Sequence, residues 1–247
     1  DPFAAAAWYA EASGGKGINI SGVGLRTRSV VEAIVREDPE RAFLWSLELG
    51  GNDALNIPRY VIGEWMERDP DAVARSIGEM DDGRLREHAI ANYGAVLAGR
   101  DPGAALGWAD TLEGSEQIGA FANIASMGGN VESLAAFDRL QDLATSESDR
   151  QRVLSAAGTR SSSFEGRRDA DLKLAEWVRD LEWPELQARF AQGMMGRWGS
   201  SDLQAAGEWL DSLPAGSGRD AGVDRLAQSM AARDPAGAWG WAVTIGD

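Results

Sequence analysis

His88 is the only histidine in these 247 residues, and there is no cysteine. A Ser-His-Asp relay or an imidazole-ligated metal would therefore have to run through His88. Thiolate nucleophiles, disulfides and zinc–thiolate sites are excluded outright. His88 sits in Arg84-Leu85-Arg86-Glu87-His88-Ala89-Ile90, a helical segment with charged neighbours, so a solvated helix position is expected of it and not a catalytic base. Carboxylates are the remaining candidates, at Asp81-Asp82, Glu64/Glu67 and Asp69/Asp71. Glycoside hydrolysis needs two carboxyl groups about 5–10 Å apart, but each cluster has a plainer role in a turn, on a charged helix face or at a helix N-cap. Lys16, in the glycine-rich stretch 14–24, is followed by Gly17, without the Ser or Thr of a phosphate-binding loop, and no Gly-x-Ser-x-Gly elbow occurs. Asn19-Ile20-Ser21 fits a glycosylation sequon and no chemistry. No catalytic residue, metal or cofactor is expected.

Charge points the same way. Asp and Glu number 39 against 24 Lys and Arg, a formal net charge of -15. Such a field repels phosphate backbones and anionic membranes, so nucleic acid is not an expected partner. No apolar run approaches the roughly 18 residues of a membrane span. With 44% hydrophobic residues the chain can bury a sizeable core.

What must position any site is a repeated phrase. Asp101-Pro102 is followed by Ala105 and Trp108, and the pattern returns at Asp38-Pro39 with Ala42 and Trp45, at Asp234-Pro235 with Ala238 and Trp241, and at Asp1-Pro2 with Ala5 and Trp8. Degenerate copies place openings at Asp69, Asn130, Ala170 and Asp202, with a mean spacing of about 33 residues, the period of a repeat array. Asp is a strong N-cap, and Pro is preorganised for the first helical position. The residue before Pro disfavours the α region, so one dipeptide ends a helix and starts the next. Offsets of four, seven and eleven after each opening carry the apolar stripe, one face of a helix. Arg68, Arg100 and Arg233 precede Asp-Pro, where a cation suits the negative end of the finishing helix. Turns fall at Gly50-Gly51-Asn52-Asp53, Asp81-Asp82-Gly83, Glu113-Gly114-Ser115 and Pro214 to Gly218. Two units are overlong, with extra stretches at 14–24 and 158–166, expected as loops on an edge.

The expected fold is all-α: one α/α solenoid domain over 1–247, built of about seven and a half helix–turn–helix repeats that open at 1, 38, 69, 101, 130, 170, 202 and 234. The phrase, and Asp1-Pro2 through Trp8-Tyr9 above all, resembles the junction between tetratricopeptide repeats. The first helix is shorter here, and the second lacks that family's Ala/aromatic/Ala spacing. The chain is similar as well to Asp-Pro/Trp helical-hairpin repeats common among uncharacterised exported bacterial proteins. These resemblances imply an open solenoid, an exported location, and a protein or peptide held on a concave face lined by first helices. They imply no activity.

The leading expectation is thus a non-catalytic protein- or peptide-binding scaffold. An α/α-toroid enzyme acting on carbohydrate through paired carboxylates, and an inert array within a longer protein, are the rivals. Groove residues are expected eight and nine positions after each opening, at Ser46, Ile77, Asp110, Asp138, Arg139, Arg179 and Asp211. Tyr9, Phe43 and Trp239 are expected as apolar anchors, or alternatively as packing between units. A first helix with no second helix after it suggests further repeats or self-association beyond Trp239 and Trp241.

Overall fold

A computed structural model describes residues 3–4, 26–49, 53–127, 134–163 and 168–246. Among these there are fourteen helices and no strand, so the fold is all-α. The chain divides into two compact units, 1–112 and 113–247. The first contains α1 (Arg26–Glu37), α2 (Pro39–Leu47), α3 (Asp53–Met66), α4 (Ala72–Glu79), α5 (Arg84–Arg100) and α6 (Pro102–Ala109). The second contains α7 (Gly114–Met127), α8 (Leu134–Leu143), α9 (Glu147–Ser163), α10 (Arg168–Arg179), α11 (Pro184–Ser201), α12 (Leu203–Ser212), α13 (Ser217–Met230) and α14 (Pro235–Ala242).

Each unit is a row of long helices with shorter ones set along it. In the first, α1 packs on α3 and α3 on α5, while α2, α4 and α6 fill in beside them. In the second, α7, α9, α11 and α13 form the row, each on the next. The odd-numbered helices are the second helices of the sequence repeat, and the even-numbered ones are the first.

The Asp-Pro phrase begins helices as its chemistry requires. Asp38 Oδ1 accepts from the Arg41 backbone N–H at 2.9 Å, and Asp101 Oδ1 from Ala104 at 2.9 Å. Asp202 and Asp234 do the same for Ala205 and Gly237, at 3.1 and 2.9 Å. Two openings behave otherwise. After Asp69-Pro70 the helix starts only at Ala72, with Asp71 as an N-cap that makes no side-chain cap bond. Asp69 instead accepts from the Asp71 N–H and pairs with Arg75, so a turn intervenes before α4. Ala170 lies inside α10, two residues past Arg168, where nothing in its side chain stops a helix. Asp1 and Asn130 lie outside the described residues.

Burial along the first helices puts the residue at offset four, not the tryptophan at offset seven, deepest. Ala42, Val73, Ala105, Leu174 and Ala206 are wholly buried, and Ala238 nearly so. Trp45, Trp108, Trp177 and Trp241 are only half-buried. The small side chain lets a second helix approach closely, and the indole then lies edge-on to an aromatic on that neighbour. Trp108 meets Tyr93 of α5 at 4.7 Å and 87°, and Trp177 meets Phe190 of α11 at 5.1 Å and 84°, the edge-to-face geometry that aromatic quadrupoles favour.

Hydrogen bonds spanning 33 to 37 residues tie helices that are not consecutive in the chain. Arg68 Nη1 donates to the Val35 carbonyl at 3.1 Å, Arg100 Nη2 to Gly63 at 3.0 Å, and Arg152 Nη1 to Ser115 at 3.2 Å. Trp209 Nε1 donates to the Ala175 carbonyl at 3.0 Å. Arg68 and Arg100, expected at the ends of their own helices, thus reach back to the preceding second helix. The stretch read as a loop at 158–166 is different too: α9 continues through Ser163. A single glycine, Gly158, does not break a helix already carrying the buried row Val153, Ala156 and Ala157. Residues 164–166 and the stretch 14–24 lie outside the described residues.

Candidate functional site

Three of the expected groove residues lie in the core. Phe43 and Ser46 are 0% exposed and Ile77 is 1% exposed. Phe43 packs on Trp65 at 5.8 Å, and the Ser46 hydroxyl donates to its own helix at the Phe43 carbonyl, 2.7 Å away. At about 100° per residue, the stripe at offsets four, seven and eleven is centred near the opening's own direction. Offset eight falls beside that stripe and offset nine falls opposite it. Asp110, Arg139, Arg179 and Asp211, all at offset nine, are exposed, whereas Leu47 at the same offset is 4% exposed. Arg179 pairs with Asp180 at 3.1 Å, and Asp211 lies 3.7 Å from Arg219. Asp138, at offset eight from an opening that lies outside the described residues, is exposed and accepts the Trp177 indole N–H at 2.7 Å. Trp239 is 71% exposed. Tyr9 lies outside the described residues.

His88 is exposed, and its carbonyl accepts from Asn92 Nδ2 at 2.9 Å. The chief buried polar chain in the first unit runs through Asn92, which is 4% exposed and accepts from Arg59 Nε at 3.3 Å. Burial lowers the Arg59 pKa from its ordinary value. These groups join α3 to α5. No group of three or more His, Asp or Glu side chains placed to hold a metal ion occurs among the described residues.

A concave site does form on the second unit, where the turn between α8 and α9 meets the turn between α10 and α11. Gln141, Asp142, Ala144, Arg150, Glu182, Trp183, Pro184 and Glu185 line an open pocket of about 420 Å³. Ala144 is buried at its base, and Trp183 is half-buried. The Arg150 guanidinium lies over the Trp183 ring, 5.3 Å from its centroid, within cation–π range. The three carboxylates leave the lining with a net charge of -2.

Local sequence explains why an indole stands there. At the start of α5 and α13 the N-cap is a glycine in a left-handed conformation, Gly83 at φ 148° and Gly216 at φ 149°. At the start of α11 the N-cap is Trp183, at φ -99° and ψ 103°, followed by Pro184. The turn there is extended, so it needs no glycine, and Pro184 removes an N–H that has no helical partner. A large side chain can then stand where α5 and α13 have none. The signal legible in the sequence was Trp183-Pro184 itself: a tryptophan outside the offset-seven register, in a turn.

The second exposed feature is α14 and its C-cap, where Trp239 and Val243 stand 71% and 60% exposed. Trp239 has the same offset from its opening as Phe43. Phe43 is covered because Trp65 of α3 lies against it. Among the described residues no helix does the same for Trp239. The chain matches no protein-family model, no curated protein and no solved structure.

Proposed function

We propose that this chain is a non-catalytic scaffold that binds a protein or peptide, built as an α-solenoid of helical hairpins repeating about every 33 residues. The observation that carries the reading is the set of hydrogen bonds one repeat apart. Arg68, just after α3, and Arg100, at the end of α5, in the first unit, and Arg152, on α9, in the second, reach back over 33, 37 and 37 residues to the preceding second helix. Such nearest-neighbour stacking is the organisation of solenoids, whose extended surfaces suit macromolecular ligands. Turn-borne pockets along their edges are where recognition side chains accumulate. Exposed residues nine positions after four of the openings supply further variable contacts at Asp110, Arg139, Arg179 and Asp211.

Selection from a random-peptide display library, followed by titration of one synthetic winner, tests this. Enrichment of related sequences that bind with a Kd near micromolar, about -8 kcal/mol, is the expected result. A library that yields no enriched sequence, or purified protein that cleaves a polysaccharide at the pace of an enzyme, would overturn it in favour of an inert array or a carboxylate hydrolase.

A further inference from the structure

Resting on the scaffold reading, we infer that the pocket at the α8–α9 and α10–α11 turns receives a cationic side chain of a basic, unfolded peptide segment, with Trp183 as its aromatic floor and Asp142, Glu182 and Glu185 as its acidic rim. The pocket already holds one cation in that role. Arg150 lies over the Trp183 ring at 5.3 Å, yet among the described residues its guanidinium makes no ion pair with any of the three carboxylates lining the same space. Those carboxylates likewise have no hydrogen bond or ion pair among the described residues, although they line the pocket together with an arginine. The Trp183 indole N–H also lacks an acceptor among them, which leaves one donor to receive a peptide carbonyl.

Electrostatics select the ligand. The lining carries three negative groups and one positive, within a chain of net charge -15. An anionic peptide or a phosphate would meet repulsion at both scales, while a guanidinium or ammonium group is attracted at both. A neutral sugar would need a bare indole face, and Arg150 occupies one. An incoming cation can take the same interaction by displacing Arg150, and the exposed arginine side chain loses little on moving into solvent.

The test is fluorescence anisotropy of a short labelled peptide of alternating Gly and Arg, with a Gly-Glu peptide and a chito-oligosaccharide competitor as comparisons. Only the basic peptide is expected to bind. Trp183→Ala is expected to weaken it about tenfold, and Glu182→Gln with Glu185→Gln about fivefold. Arg150→Gln is expected to strengthen binding about threefold, because it frees the indole and removes a repelling charge. Glu79→Gln with Asp81→Asn, which removes equal charge from exposed positions in the other unit, is expected to change affinity less than about twofold. Thermal melts followed by circular dichroism show whether Trp183→Ala still folds, and the doubly neutralised variant at exposed Glu182 and Glu185 carries the test if it does not. Equal loss in the two doubly neutralised variants would overturn the pocket as the site and leave a scaffold with diffuse attraction. Weaker binding by Arg150→Gln, or displacement of the peptide by the oligosaccharide, would also overturn it. Failure of every library peptide to bind is a separate result, which removes the scaffold reading with it.

Discussion

Asp101 and Gly107, at the start and middle of one short helix, have opposite effects on its stability. Asp101 accepts from the Ala104 N–H at 2.9 Å, and Asp101→Ala is expected to cost about 1 kcal/mol in urea denaturation. A Cβ at Gly107 would have nothing within 4 Å, so Gly107→Ala is expected to add about 0.5–1 kcal/mol by restricting the unfolded backbone. The same substitution at Gly222 would place its Cβ 2.6 Å from Leu210 Cδ2 and 3.3 Å from Ala191 Cβ. There α11, α12 and α13 close on one another, and Gly222→Ala is expected to destabilise by about 1–3 kcal/mol. Tyr93, 4% exposed, adds a pH term. Its burial first, and then the charge of Asp71, raise its pKa above the ordinary phenol value of 10.0. Below that value both folded and unfolded chains hold the proton, and stability is unaffected. Above it the unfolded chain ionises first, so stability falls with rising pH until the folded phenol titrates. Tyr93→Phe is expected to remove that alkaline decline, read as the difference between the two proteins' urea midpoints across the alkaline range.

At the scale of elements, the three arginines that precede Asp-Pro separate two roles that look alike in sequence. Arg100 donates to the Gly63 carbonyl and lies 2.9 Å from Glu67. Arg100→Met is expected to cost about 0.5–1.5 kcal/mol. Arg233 makes no side-chain bond among the described residues, and Arg233→Met is expected to stay within about 0.5 kcal/mol of the parent. Equal losses in urea denaturation would show that the repeat-long bonds do not hold the hairpins together. Helix starts at Asp38, Asp101, Asp202 and Asp234 were legible because cap chemistry is local, contained in three or four consecutive residues. The start at Asp69 was not, because Pro70 is followed by a second capping residue, Asp71, and the helix takes the later one. The buried face was legible at offset four and misjudged at offset eight, where Ser46 and Ile77 are core. A first helix with second helices on two sides buries more than the narrow stripe that periodicity marks. Partners one repeat away, such as Val35 for Arg68, are tertiary and leave no local trace.

At the scale of the whole molecule, the residues that build the packed helices are distinct from those that the proposed function assigns to a ligand. The Asp-Pro phrase and its small residue belong to the first group, since their side chains cap backbones or lie in the core. The pocket at Trp183 belongs to the second under the proposed function, and it was legible only as a lapse: a Trp-Pro where α5 and α13 start from glycine. Its acidic rim leaves no local trace in the sequence, because Asp142 and Glu182 are 40 residues apart and meet only once α8 and α10 stand side by side. Hydrogen–deuterium exchange with and without saturating Gly-Arg peptide tests this separation most directly. The account predicts slowed exchange in 141–150 and 181–187, with 101–109 and 234–242 unchanged. Protection of the phrase segments without protection around Trp183 would contradict it.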